Sequence, residues 1–206
     1  MQKSSAASQR EEAINGNRER LAAIAIKRFD VYVGDAAELE QAYRFMEVFG
    51  THLPGLAFFL RRRESGEDTE HLEIDAVREA VAAMLKSLDT DELADLHVDI
   101  ENKIVEMEIK PNEKDYVEYV NNRYIWLKKL LEESVDTFEA IVMKINDSYL
   151  DALLELLKET EARLASAFQS FSASDKTMAS YEEFRLSMAG IDRDTTKLTL
   201  RLMEGV

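Results

Sequence analysis

The sequence predicts an all-α protein, a helical bundle built around one very long helix with short N-terminal helices and a C-terminal helical hairpin. Three observations carry this reading. No glycine occurs from Glu67 to Ala189, and from Asn112 to Ala189 proline is absent too. Glycine and proline supply most tight turns, so such a stretch holds few of them. Apolar residues recur at spacings of three and four through most of the chain, which is the helical period. From Tyr116 large apolar residues also return every eleven positions, at Leu127, Phe138, Tyr149 and Phe171, with Thr160 interrupting the column. A second column runs Val120, Leu131, Val142, Leu153, Leu164. Eleven residues over three turns keeps an apolar stripe nearly straight on one helix.

Residues 1–15, small and polar, read as a flexible tail. Asn17 suits the cap of a helix running to about Val33, with Leu21, Ile24 and Phe29 at helical spacing. Phe29–Val33, the end of that segment, could be extended instead. Gly34 closes that segment and Asp35 caps the next, whose inner face carries Leu39, Tyr43, Phe45, Met46 and Phe49 before Gly50. Pro54 fits the first turn of a short helix ending in Arg61-Arg62-Arg63, where basic residues complement the helix dipole. After a loop at 64–69, Leu72, Val77, Val81 and Leu85 mark a helix to about Leu88. Asp89 or Thr90 caps another through Leu93, Leu96, Ile100, Ile104 and Met107. Residues 96–109 also alternate apolar and polar as a hairpin would, but the intervening Glu101-Asn-Lys lacks the glycine such turns favour, so helix is preferred.

Pro111 and Asn112 separate this N-terminal region (16–110) from the long helix, expected over about 113–171. Asn146-Asp147-Ser148 is its one polar gap. The apolar register holds across that gap, which favours a continuous helix. From Tyr116 to Phe171 it would span about 84 Å at 1.5 Å per residue, longer than a globule of this size is wide. Residues 172–206 then form the C-terminal hairpin, with Tyr181, Phe184, Leu186 and Met188 before Gly190 and Leu198 and Leu202 after Asp192. The whole is one domain, or a body with a helical extension.

Charge narrows the functions. The net charge is −15, which disfavours direct binding to nucleic acid and to an anionic membrane surface. The charge is uneven: residues 1–63 carry ten Lys/Arg against eight Asp/Glu, and the remainder sixteen against thirty-three. No run of residues approaches the length of a membrane span. The start lacks an apolar leader segment, so the expected location is the cytoplasm, although a Ser-rich polar start also suits a non-cleaved export signal. Cysteine is absent, which removes disulfides, thiolate metal sites and cysteine nucleophiles.

Chemical motifs are sparse. The three histidines, His52, His71 and His97, are far apart and form no metal-binding spacing. No cofactor or catalytic set is expected. One constellation stands out: Glu70-His-Leu-Glu73 and Glu92-Leu-Ala-Asp95, two carboxylate pairs each sharing a helix face. Facing each other, they could hold Mg²⁺ against a nucleotide phosphate. Over about residues 67–110 this pattern is similar to the Glu-x-x-Glu and Glu-x-x-Asp pairs of the all-helical nucleotide pyrophosphatases of the MazG kind. The resemblance implies a Mg²⁺-dependent hydrolase with Glu70, Glu73, Glu92 and Asp95 as metal ligands. Thr69 stands where that family opens its first pair with a second Glu.

The functional expectation is protein–protein interaction, as a scaffold, adaptor or regulatory subunit whose long helix pairs with itself or with a partner. A homo-oligomer is expected, because the wide stripe exposes more apolar surface than a single chain readily covers. Its interface would be formed by Tyr116, Val120, Leu127, Leu131, Phe138, Val142, Tyr149, Leu153, Leu164 and Phe171. The alternatives are the nucleotide hydrolase and an exported helical effector or secretion-apparatus component.

Overall fold

The computed structural model describes residues 2–34, 39–56, 74–108 and 113–205. The all-α class is as expected: among the described residues every regular element is a helix, and none is long and apolar enough to cross a membrane. The helices are α1 (Gln2–Gly34), α2 (Leu39–His52), α3 (Ile74–Leu85), α4 (Thr90–Glu108), α5 (Glu113–Ile145), α6 (Ser148–Ala173) and α7 (Met178–Gly205). Residues 54–56 form a further helical stretch after Leu53; Arg61–Arg63 lie outside the described residues. The chain divides into two compact units, residues 14–108 and residues 1–13 with 109–206.

In the N-terminal unit, Leu21, Ala22, Ala25 and Phe29 form the buried stripe of α1, and Ala42, Phe45, Met46 and Phe49 that of α2. Phe49 meets the edge of Phe29 at 5.3 Å between ring centres, and Tyr32 stacks on Phe45 at 4.0 Å. The central element is α4. Its Leu93, Ala94, Leu96, Val98, Ile100 and Ile104 are all buried, so apolar residues occupy more than one face. That accounts for the hairpin-like alternation at 96–100: a helix covered on several sides loses its one-faced pattern. Ion pairs Arg28–Glu101 (2.9 Å) and Arg78–Asp30 (2.5 Å) and a 2.8 Å His52–Asp99 hydrogen bond tie the helices at the rim.

Three boundaries differ from the sequence reading, and one open alternative closes. Helix α1 begins at Gln2 rather than at Asn17, so the polar start is helical; Ala, Gln, Arg and Glu are good helix formers, and proline is absent there. It runs through Val33, removing the extended option at 29–33. Helix α2 passes through Gly50 to His52, an interior glycine costing only about 1 kcal/mol relative to alanine. At the C-terminus a helical hairpin is present, but its arms are α6 and α7. Gly190 and Asp192 lie inside the single helix α7 instead of dividing it.

The largest correction concerns the long helix. The continuous element expected over 113–171 is broken at Asn146 and Asp147, and α6 folds back along α5. Asn146 is in the left-handed region at φ 51°, which asparagine tolerates better than most residues and which commonly ends helices. Asp147 is extended and accepts a 2.8 Å hydrogen bond from the Tyr149 N–H, capping α6. Two residues thus stop one helix and start the next. Lys158 reaches back from α6 to Glu139 on α5 at 3.2 Å, and Tyr124 stacks on Phe168 at 4.2 Å, both consistent only with antiparallel arms.

Helices α5, α6 and α7 form an up-down-up bundle. The buried line of α6 is Leu150, Leu153, Leu157, Thr160, Leu164 and Phe171. That of α7 is Phe184, Met188, Ile191, Thr195, Leu198 and Leu202. Both advance by alternating threes and fours, the heptad seam of left-handed bundle packing. An eleven-residue step is seven plus four and can join two members of that seam, as Leu153 to Leu164 and Thr160 to Phe171. A second such step makes twenty-two and leaves it, which is why Tyr149 falls beside the buried Leu150. The single straight stripe therefore gives way to heptad packing on α6 and α7, while on α5 the buried Val120, Leu131 and Val142, and Leu127 and Phe138, keep the eleven-residue columns.

Candidate functional site

The residues expected to form an intermolecular interface are mostly interior. Val120, Leu127, Leu131, Phe138, Val142, Leu153, Leu164 and Phe171 are buried in the core of the C-terminal unit, with Tyr116 packed at its margin. Tyr149 alone is exposed, at 43%, and the next residue, Leu150, takes the buried place. Folding α6 back on α5 covers the stripe with the chain's own residues. The surplus of apolar surface on which the long-helix interface rested is thus used up internally.

The carboxylate constellation is not assembled as a site in the described residues. Asp89 and Glu92 form a reciprocal capping box at the start of α4. The Glu92 N–H donates to Asp89 Oδ1 at 2.8 Å, and the Asp89 N–H donates to Glu92 Oε2 at 2.9 Å. This arrangement satisfies two helix-end N–H groups and explains Glu92 by local structure. Asp95 lies one turn on, half-buried on α4. Glu70, Glu73 and His71 lie outside the described residues. Among the described residues no group of three or more His, Asp or Glu side chains could hold a metal ion.

The surface feature with the most specific geometry lies on the outer side of α5. Trp126, the single tryptophan of the chain, is 47% exposed, and its neighbour Ile125 is 62% exposed. The Arg123 guanidinium lies over the Trp126 ring, 4.1 Å from its centre. Arg123 also donates to Asp192 on α7, whose side chain is only 8% exposed. The cation is therefore fixed from below by a buried carboxylate and covers the indole from the side, a contact of about 0.5–1 kcal/mol at exposed sites. Just beyond, Lys128 and Lys129 sit one turn before Glu132 and Glu133, at 3.5 and 3.6 Å respectively. The result is an apolar centre with an ordered arginine and a rim of both signs. Sequence periodicity placed Trp126 beside the apolar columns; only the geometry separates it from the core.

Grooves lie elsewhere among the described residues. One, of about 300 Å³ between α6 and α7, is lined by Ser170, Ser174, Ser180, Ser187 and Glu183 over Phe171 and Phe184. Another, of about 430 Å³ in the N-terminal unit, has a floor of Ala22, Ala23 and Ile26 with Arg18 and Lys86 at its edge. In the first, the Ser174, Ser180 and Ser187 hydroxyls each donate to a backbone carbonyl. No family model, curated protein or solved structure matches this chain.

Proposed function

We propose that this is an interaction protein that self-associates through the Ile125–Trp126 face of α5. The observation that carries the reading is the half-exposed Trp126 beneath an arginine that Asp192 holds in place. Tryptophan and arginine dominate the energetics of protein interfaces, and a side chain ordered before binding loses less entropy on binding. The rim favours a second copy over an arbitrary partner. Lys128 and Lys129 precede Glu132 and Glu133 along the helix. Two α5 helices meeting antiparallel about a two-fold axis near residues 130–131 therefore set the lysines of one against the glutamates of the other, with the Ile125–Trp126 patch of each copy flanking that centre. Isologous contacts require such self-complementarity.

Trp126 reports on its own surface, because its fluorescence is the only indole emission of the chain. Raising the protein concentration should shift the emission to the blue while light scattering reports a mass above the 23.6 kDa of one chain. Ile125→Asp should abolish both changes and leave the helical content intact. A mass fixed at 23.6 kDa with unchanged emission up to high concentration would sink the proposal.

A further inference from the structure

Helix α1 is unbroken from Gln2 to Gly34, yet residues 1–13 belong to the C-terminal unit and residues 14 onward to the N-terminal one. Just past that boundary stands Asn15-Gly16-Asn17, a run of poor helix formers. Nothing lies within 4 Å of where a Cβ on Gly16 would sit, so close packing gives no reason for the glycine. Before the boundary, residues 7–12 are exposed although helical. Among them Arg10 places its guanidinium 4.9 Å from the centre of the Tyr149 ring. Tyr149 opens α6 beside the two-residue turn, where Met143 and Ile145 are exposed as well.

We infer that residues 2–13 are a detachable strap, hinged at Asn15–Asn17, which is held against the start of α6 by Arg10 on Tyr149 and uncovers that ring when it opens. The first dozen residues of a helix cost little to melt when few apolar contacts hold them, and such segments open well below the global unfolding free energy. An exposed cation–π contact shifts an equilibrium by only about two- to fivefold, which suits a closure that a competing ligand or partner can displace. The weak helix formers lie where opening must stop, so the fragile link sits at the boundary and leaves the buried Leu21–Phe29 portion of α1 in place.

Native-state hydrogen exchange on the full chain tests this directly. Amides of residues 7–13 should exchange faster than those of residues 21–29. The double substitution Asn15→Ala/Gly16→Ala should slow exchange at 7–13 by roughly tenfold, from the gain in helix propensity, with 21–29 unchanged. Tyr149→Ala should speed exchange at 7–13 about two- to fivefold, and Tyr149→Phe, which keeps the ring face, should restore it. Equal protection along α1 overturns the hinge. Exchange at 7–13 that is indifferent to Tyr149→Ala overturns the strap contact. Neither readout depends on self-association, so this inference and the proposed function fail separately.

Discussion

Arg123 on α5 donates to the buried carboxylate of Asp192 on α7 while its guanidinium covers the ring of Trp126. One residue thereby joins two helices of the bundle and orders the surface beside them. The pair is asymmetric: Asp192 is 8% exposed and Arg123 32%. Removing the arginine strands a carboxylate in the bundle, whereas removing the carboxylate leaves a cation that can turn to water. We expect Arg123→Met to cost about 2–3 kcal/mol, somewhat less than for a fully buried pair. Asp192→Asn should cost about 1 kcal/mol. Urea unfolding measures both. The order reverses if the ion pair is not what holds the two helices in register.

The turn at Asn146–Asp147 sets the topology of the C-terminal unit. Asp147→Ala removes the acceptor for the Tyr149 N–H and should cost about 1 kcal/mol. Asn146→Gly should be neutral or slightly stabilising, because glycine adopts the left-handed conformation freely. Asn146→Val should cost more than either, since a β-branched residue at φ 51° is strained. Thermal melts should therefore place Asn146→Gly highest, Asp147→Ala next and Asn146→Val lowest. An Asn146→Val variant as stable as wild type would mean that the turn is not left-handed in solution.

The sequence made the helical class and most of the core legible, because burial follows the three-four spacing whichever helix a residue ends up facing. Leu93, Leu127, Leu131 and Leu164 are buried as their periodicity predicts. What periodicity cannot encode is direction. A stripe on one straight helix and two stripes facing each other across a turn have the same spacing, so phase alone could not separate the two. The discriminating signal was chemical and local: asparagine suits the left-handed end of α5, and the aspartate after it suits the cap of α6. Likewise Asp89 and Glu92 have the spacing of a capping box as well as that of a metal-ligand pair. A hydrogen bond from the Asp89 backbone N–H, reciprocated by the Glu92 N–H to the Asp89 carboxylate, accounts for that Glu92 carboxylate. Trp126 was visible as an apolar residue, but its exposure depends on where α7 lies, and one helix's pattern does not contain that.

The middle of the bundle carries a polar layer. Phe171 stacks on Phe184 at 4.6 Å, and Gly205 lies against Leu150 at the other end of the same helix pair. This antiparallel register sets Thr160 of α6 opposite Thr195 of α7, both buried. Each hydroxyl donates to the carbonyl four residues earlier on its own helix, Leu156 at 2.8 Å and Ile191 at 2.7 Å. The hydroxyls are satisfied locally, so they contribute nothing across the interface that a methyl group would forfeit. Thr160→Val with Thr195→Val should therefore stabilise the bundle, by about 1 kcal/mol from added apolar burial. Chemical denaturation checks this. A double variant less stable than wild type would show that the hydroxyls bond between helices.

Acid should weaken one further tie at the start of α7. Arg185, largely buried, grips Glu182 with two hydrogen bonds, Nε to Oε2 at 3.0 Å and an NH2 group to Oε1 at 2.7 Å. That hydrogen bonding, aided by the charge of Arg185 and opposed by partial burial, holds the Glu182 carboxyl below the usual carboxylate range. A carboxyl with a depressed folded-state value stabilises the fold above its unfolded value, and the contribution is lost as pH falls through the folded one. Glu182 is 45% exposed, so solvent screening limits the effect to about 0.2–1 kcal/mol. Wild type should accordingly exceed Glu182→Gln in urea midpoint at neutral pH. The two curves should converge as the solution is acidified below the ordinary carboxylate range. A gap that stays constant through that range would mean that the neutral amide loses packing alone, and that the Glu182 charge contributes nothing to holding Arg185.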